Sequence, residues 1–179
     1  MKKLLYVGLD VHKETITVAV APHGEIEVRF IGTISNNSLA VDSLIRKLAS
    51  GGDIVHFAYE AGPGGYTLYR QLREKGYECM VVAPSLIPRR SGERVKTDRR
   101  DALMLARLYR AGELTGIYVP DKDDEAIRDL FRLRCVAKRA EKQARQNLLS
   151  FLLRNGFVYS ATWHWTKTHW RWLHELRKH

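Results

Sequence analysis

Asp10 closes an otherwise apolar run at residues 4–9, and Glu60 closes a second, "DIVHFAYE". An acid at the end of a buried strand is costly to desolvate unless something compensates it. A second pair, Asp98 and Asp101, lies three residues apart in "KTDRRDALMLARL", where an apolar helical pattern begins. Residues at that spacing share a helix face. Two readings of this pair compete. In the first, Asp98 is an N-cap and Asp101 the third helical residue, both complementing the helix dipole. In the second, the helix lies across the two strand ends and all four carboxylates converge. So many anions in one place require protons or cations. Hard oxygen donors with no Cys or His nearby point to Mg²⁺ or Mn²⁺. Two such ions about 4 Å apart can activate water and stabilise the leaving oxygen in phosphodiester cleavage.

The elements that must position these acids are legible from periodicity. Residues 4–9 read as a central strand, "DVHKET" as a turn, "ITVAVA" as a second strand, "PHGE" as a turn and "IEVRFIG" as a third strand. "SNNSLAVDSLIRKLAS" has a helical pattern stopped by Gly51-Gly52. "DIVHFAYE" is the fourth strand, "GPGGY" turns into a helix over about residues 66–75, and "YECMVVA" is the fifth strand. A basic loop over residues 84–97 precedes a helix over about 98–111 and a short extended piece, "GIYVP". Three antiparallel strands followed by helix–strand–helix–strand–helix is the element order of an α/β, ribonuclease H-like (RuvC-like) fold. There the first strand is central and pairs with the fourth, so Asp10 and Glu60 are neighbours.

From residue 121 one helical pattern continues to about Asn155-Gly156, headed by the acidic "DKDDE". Ala126, Leu130, Leu133, Ala137, Ala140, Ala144, Leu148 and Phe151 form a heptad-like seam with one stutter. Such a helix is about 50 Å long, more than a small domain needs, and it predicts a helical hairpin or a homodimer through residues 122–155. The expected division is residues 1–118 as an α/β domain, 119–156 as a helical, coiled-coil-like segment, and 157–179 as the start of a further region.

Charge follows the same division. Residues 1–85 hold nine basic and nine acidic side chains, whereas 86–110 hold eight against three and 126–154 eight against two. Basic blocks on a neutral scaffold suggest a polyanion partner. Arg89, Arg90, Arg94, Lys96, Arg99 and Arg100 are the expected contacts to a nucleic-acid backbone. Cys79 and Cys135 are isolated and read as ordinary thiols in a reducing compartment. The start "MKKLLYVGLD" is interrupted too early by Gly8 and Asp10 to be a signal peptide, and no stretch has the length and apolarity of a membrane span. A cytoplasmic, nucleoid-associated protein is expected.

"YVGLDVHKETITVAV", "YEAGPGGYTLYR", "VVAPSLIPRRSGERVKTDRRDALMLARL" and "WTKTHWRWL" together resemble the DEDD transposases of the IS-one-ten insertion-sequence family, from about residue 5 to 173. The "KTDRRDA" block is the most specific of these. The resemblance implies that Asp10, Glu60, Asp98 and Asp101 are the catalytic metal ligands of a RuvC-like nuclease domain, with Mg²⁺ or Mn²⁺ as cofactor. It also implies a long helical segment and a C-terminal domain bearing a serine nucleophile. The implied activity is excision and insertion of a mobile DNA element, with a structured guide RNA as a further partner. The chain ends at His179, where the family continues, and none of its serines has the matching C-terminal context. It reads as a fragment, a deliberately shortened chain or the product of an interrupted gene, and alone as incompetent for full transposition.

Three rival readings share some of these features. A Holliday-junction resolvase has the fold and four acids but needs no further domain. A sugar-kinase-like ATPase also runs Gly-x-Asp into a turn, but needs small phosphate-holding residues where this chain has "HKET". A non-catalytic nucleic-acid-binding remnant is the third. "EAGPGGY" lacks the Gly-Lys-Ser/Thr ending of a phosphate loop and reads as a strand-to-helix turn. His164, His169, His174 and His179 recur every five residues and do not share a helix face. Trp163, Trp165, Trp170 and Trp172 read as packing against a missing domain, with base stacking as the alternative.

Overall fold

The computed structural model describes residues 2–88 and 97–176. The chain divides into two compact units, Met1–Val119 and Pro120–His179.

The first unit is built on a five-stranded sheet of β1 (Leu4–Val11), β2 (Thr15–Pro22), β3 (Arg29–Ser35), β4 (Ile54–Glu60) and β5 (Glu78–Val82), in the order β3-β2-β1-β4-β5. β1 pairs antiparallel with β2 and parallel with β4, and β4 pairs parallel with β5. A central first strand flanked by an antiparallel meander on one side and parallel strands on the other is the ribonuclease H-like topology. Strand alternation sorts the two faces. Leu5, Val7 and Leu9 pack with Phe57, Tyr59 and Val81 against Val41, Leu44 and Ile45 of α1 (Ser38–Ala49) and Leu68 and Leu72 of α2 (Thr67–Glu74). "EAGPGGY" is the strand-to-helix turn before α2, with Gly65 at φ 64°.

The opposite face is lined by small residues. Ala19 and Ala21 pack with Ala102 and Ala106 of α3 (Asp98–Ala111), and Ala58 and Val82 with Leu105 and Leu108. At the centre is Gly8. A Cβ there would run into the carbonyl oxygen of Ala102 and the amide nitrogen of Ala106, and would lie 3.0 Å from the Cβ of Leu105. The helix backbone therefore rests directly on the strand backbone. α3 ends at Gly112, at φ 73°, whose amide reaches Leu108 and Tyr109.

The third strand begins later than alternation predicts, at Arg29 rather than Ile26. The carbonyls of Pro22, Glu25, Ile26 and Glu27 converge on the Arg110 guanidinium of α3 instead of on a neighbouring strand. Ile26 is consequently fully exposed. "GIYVP" meets β5 through the Val82–Gly116 bridge and the Ile117 amide bonded to Val81 rather than as a sixth strand.

The second unit consists of α4 (Lys122–Arg154, 33 residues) and α5 (Lys167–Leu176). Asp121 caps α4 by accepting from the Asp124 amide at 2.8 Å, with Asp123, Asp124 and Glu125 in its first turn. Leu152 is the only residue of α4 that is buried. His169 of α5 is also buried, stacked on Trp172 and accepting from the Trp165 amide at Nδ1. Trp165 and Trp172 thus pack within this unit, while Trp163 and Trp170 are exposed. No helix among the described residues is long and apolar enough to cross a membrane.

If the backbone contact at Gly8 holds α3 in place, Gly8→Ala destabilises the unit by about 3 kcal/mol, at the upper end for overpacking. Gly64→Ala, where an added Cβ meets nothing within 4 Å, changes stability by less than about 0.5 kcal/mol. Urea unfolding of both variants checks the contrast.

Candidate metal centre

β1 and β4 run in register up to Leu9 and Tyr59, and Asp10 and Glu60 follow them in each strand. Alternation turns these two acids to the face covered by α3. Gly8, two residues before Asp10, fixes the height of the helix, and the first turn of α3 brings Asp98 and Asp101 to the same end of the sheet. Asp98 is not the cap of this helix. Thr97 is: its backbone is extended and its Oγ1 accepts from the Arg100 amide at 3.3 Å. Asp98 is therefore the first helical residue and Asp101 the fourth. With the cap supplied by Thr97, the Asp98 carboxylate is available for other contacts.

The contact it makes is with a residue passed over in the sequence as part of a turn. His12 Nε2 lies 3.1 Å from Asp10 Oδ2 and 3.4 Å from Asp98 Oδ1. One ligand atom each from Asp10, His12 and Asp98 lies within 4.8 Å of the other two. The expectation that no His lies near these acids is therefore corrected. The signal was the two-residue spacing of Asp10 and His12, which puts both on one face where a strand runs on past its last pair. The hairpin around His12 is tied down. Its amide donates to Thr15 O at 2.8 Å, and its carbonyl accepts from Asn36 Nδ2 at 2.7 Å.

Burial grades across the centre. The side chain of Asp10 is 15% exposed, against 51% for His12 and 60% for Asp98. Burial pushes the Asp10 carboxyl above its ordinary pKa; His12 opposes this by charge and hydrogen bond, and Asp98 and Asp101 push it further up. Asp101 thus contributes to the field at Asp10 although it is outside the three-residue cluster. Glu60 is half-buried and adjacent by register, but likewise outside the cluster. The donor set suits a divalent cation, since several carboxylates compete to lose their charge at one point. Of the six basic residues expected to meet nucleic acid, Arg89, Arg90, Arg94 and Lys96 lie outside the described residues. Arg99 and Arg100 are exposed on the first turn of α3, and the Arg99 guanidinium sits 4.9 Å over the Phe30 ring.

The raised Asp10 pKa sets the sign of a pH effect. As pH rises, the unfolded chain loses this proton first and the folded chain later, so stability falls between the two pKa values. In EDTA at neutral pH, Asp10→Asn should therefore melt above the wild type, and the gap should close below the unfolded carboxylate range, at about pH 4. Adding Mg²⁺ or Mn²⁺ at ten times its Kd should raise the wild type by about 1.4 kcal/mol and the variant far less. Thermal melts with and without cation test both signs.

Residues 7–157 match the DEDD transposase family of IS110, described simply as transposase. A Sinorhizobium fredii relative, named as transposase y4qE, is 48% identical over 171 residues, covering 95% of this chain and 44% of its own. The transposase for insertion sequence element IS1533 of Leptospira borgpetersenii is 40% identical over 179 residues, covering 98% of this chain and 51% of its own. The chain thus spans about half the length of these curated relatives. The structure of T. thermophilus RuvC in complex with Holliday junction substrate aligns with 64% of this chain and 99% of its own, at 11% identity and a TM-score of 0.39. The fold assignment rests on strand order and register, not on that superposition. The acids that the fold gathers fall inside the matched segment, and the chain belongs to the DEDD transposase family of IS110.

Proposed function

We propose that residues 1–118 are the metal-dependent nuclease domain of a DEDD transposase, cleaving phosphodiester bonds in DNA. On this reading residues 119–156 form a dimerisation arm and 157–179 open a further region. The observation that carries it is the approach of Asp10, from the central strand, to Asp98, from the first turn of α3, through His12. Asp10, Glu60, Asp98 and Asp101 are proposed as the catalytic ligands of Mg²⁺ or Mn²⁺. The cation supplies charge neutralisation and an acidified water. These side chains would hold the cation and fix its position at the end of the sheet. Family membership extends the proposal to a structured guide RNA in the full-length protein and to action at the nucleoid. Asp10→Asn should retain DNA affinity within about twofold while losing at least about 100-fold in Mg²⁺- or Mn²⁺-dependent strand cleavage, as expected when a group acting in the transition state is removed. Equal cleavage by wild type and variant would contradict the assignment.

The basic residues that flank Asp98 in the sequence are proposed to contact the DNA backbone: Arg89, Arg90, Arg94, Lys96, Arg99 and Arg100. Each phosphate contact contributes about 0.9 to the slope of log affinity against log salt. Arg99→Gln/Arg100→Gln should flatten that slope by about two, read by fluorescence anisotropy from 50 to 200 mM salt. An unchanged slope would remove both residues from the interface.

Self-association through α4 is supported by its unburied seam. Leu130, Leu133 and Phe151 are 69%, 66% and 54% exposed, with Ile127, Phe131 and Val136 also uncovered. Six basic residues flank the seam (Arg128, Arg132, Lys138, Arg139, Lys142 and Arg145) and oppose parallel pairing. An antiparallel partner instead brings the acidic 121–125 end towards the basic C-terminal half of its partner's helix. Wild type should sediment as a dimer at tens of micromolar and Leu130→Asp/Leu148→Asp as a monomer. A monomer in both cases would contradict a second copy as the occupant of this seam.

A further inference from the structure

We infer that His12 is itself a ligand in the cation site, a nitrogen donor beside Asp10 and Asp98 that makes the site favour Mn²⁺ over Mg²⁺. The inference rests on the metal-centre reading proposed above and adds a residue outside the four acids. Nε2 of His12 faces both carboxylates at once, 3.1 Å from one and 3.4 Å from the other. A hydrogen bond to Asp10 alone would not place the ring within reach of Asp98, which comes from a different element. The three donor atoms instead surround one point, each within 4.8 Å of the others.

The hairpin fixes the His12 backbone without help from the carboxylates. Its amide is bonded to Thr15 and its carbonyl to Asn36, whose own amide donates to Glu14 O at 2.8 Å. Thr15, Asn36 and Glu14 are outside the proposed ligand set, and they restrict the backbone that carries the imidazole. A donor held in this way loses less conformational entropy on binding than a free side chain.

An imidazole in the first coordination sphere changes which ion is preferred. Mg²⁺ takes oxygen ligands in near-ideal octahedral geometry and keeps several waters. Mn²⁺ stands lowest of the first-row divalent ions in affinity for a nitrogen and oxygen site, but it exchanges a water for an imidazole more readily than Mg²⁺, which dehydrates reluctantly. A site of carboxylates alone would discriminate less between Mg²⁺ and Mn²⁺.

The test uses the whole chain, metal-free, as wild type, His12→Ala, His12→Gln and Asp10→Asn. Mn²⁺ and Mg²⁺ are titrated separately by calorimetry, and the Mn²⁺-loaded proteins are measured by electron spin-echo spectroscopy. Wild type should show a ¹⁴N coupling to Mn²⁺ that is absent in His12→Ala. In both His12 variants the preference for Mn²⁺ over Mg²⁺ should fall by about tenfold, the lower end for losing a group that supports a metal. Melting in EDTA establishes that the variants are folded, and the wild-type ¹⁴N signal needs no variant. If wild type lacks the ¹⁴N coupling, or the His12 variants keep its ion preference, while Asp10→Asn loses both ions, the acids bind metal and His12 does not. If Asp10→Asn binds both ions as wild type does, the metal-centre reading fails and this inference with it.

Discussion

The first unit depends on how closely α3 can approach β1. Gly8 has no side chain, and the carbonyl of Ala102 and the amide of Ala106 occupy the space that one would fill. Ala19, Ala21, Ala58, Ala102 and Ala106 extend this thin layer on both sides. At the far end of the helix, Arg110 gathers the carbonyl that ends β2 and three carbonyls of the loop before β3. With both ends held, the first turn of α3 has one place to go. Asp98 and Asp101 reach the end of β1, the strand that carries Asp10. A larger residue at position 8 would lift the helix and separate the acids, so a packing constraint and a chemical one meet at the same strand.

The gathered acids are a cost in the absence of a cation. Burial and two neighbouring carboxylates hold Asp10 towards its neutral form, and His12 offsets only part of this. The large core on the other sheet face, from Leu5 to Val81, supplies the stability against which such a cost is carried. Perturbed groups of this kind cluster at functional sites because a ligand is what relieves them. The ligand proposed for this end of the sheet is a divalent cation, as the DEDD family implies.

Much of this was legible in the sequence, for physical reasons that differ by residue. Asp10 and Glu60 were visible because each acid ends an apolar run, and burial makes such an acid conspicuous. Strand order followed from the sequence of periodicities, since a meander and parallel crossovers leave different spacings. His12 stood out less, because "DVHKET" reads as a short polar turn and only the bond from the His12 amide to Thr15 O carries the strand past Val11. Thr97 and Asp98 are both good caps, and only the extended backbone at Thr97 decides between them. The start of β3 depends on Arg110, more than eighty residues away in the chain, and local alternation holds no trace of that. The seam of α4 was legible as a helix, but periodicity says nothing of what covers it.

The central claim is that the seat of α3 on Gly8 creates one divalent-cation centre at Asp10 and Asp98. Crystals of the chain soaked in Mn²⁺, with anomalous diffraction collected near the manganese edge, test it most directly. The account predicts an anomalous peak within coordinating distance of the Asp10 and Asp98 carboxylates. A fully occupied peak elsewhere on the chain, with none between those two residues, would contradict it.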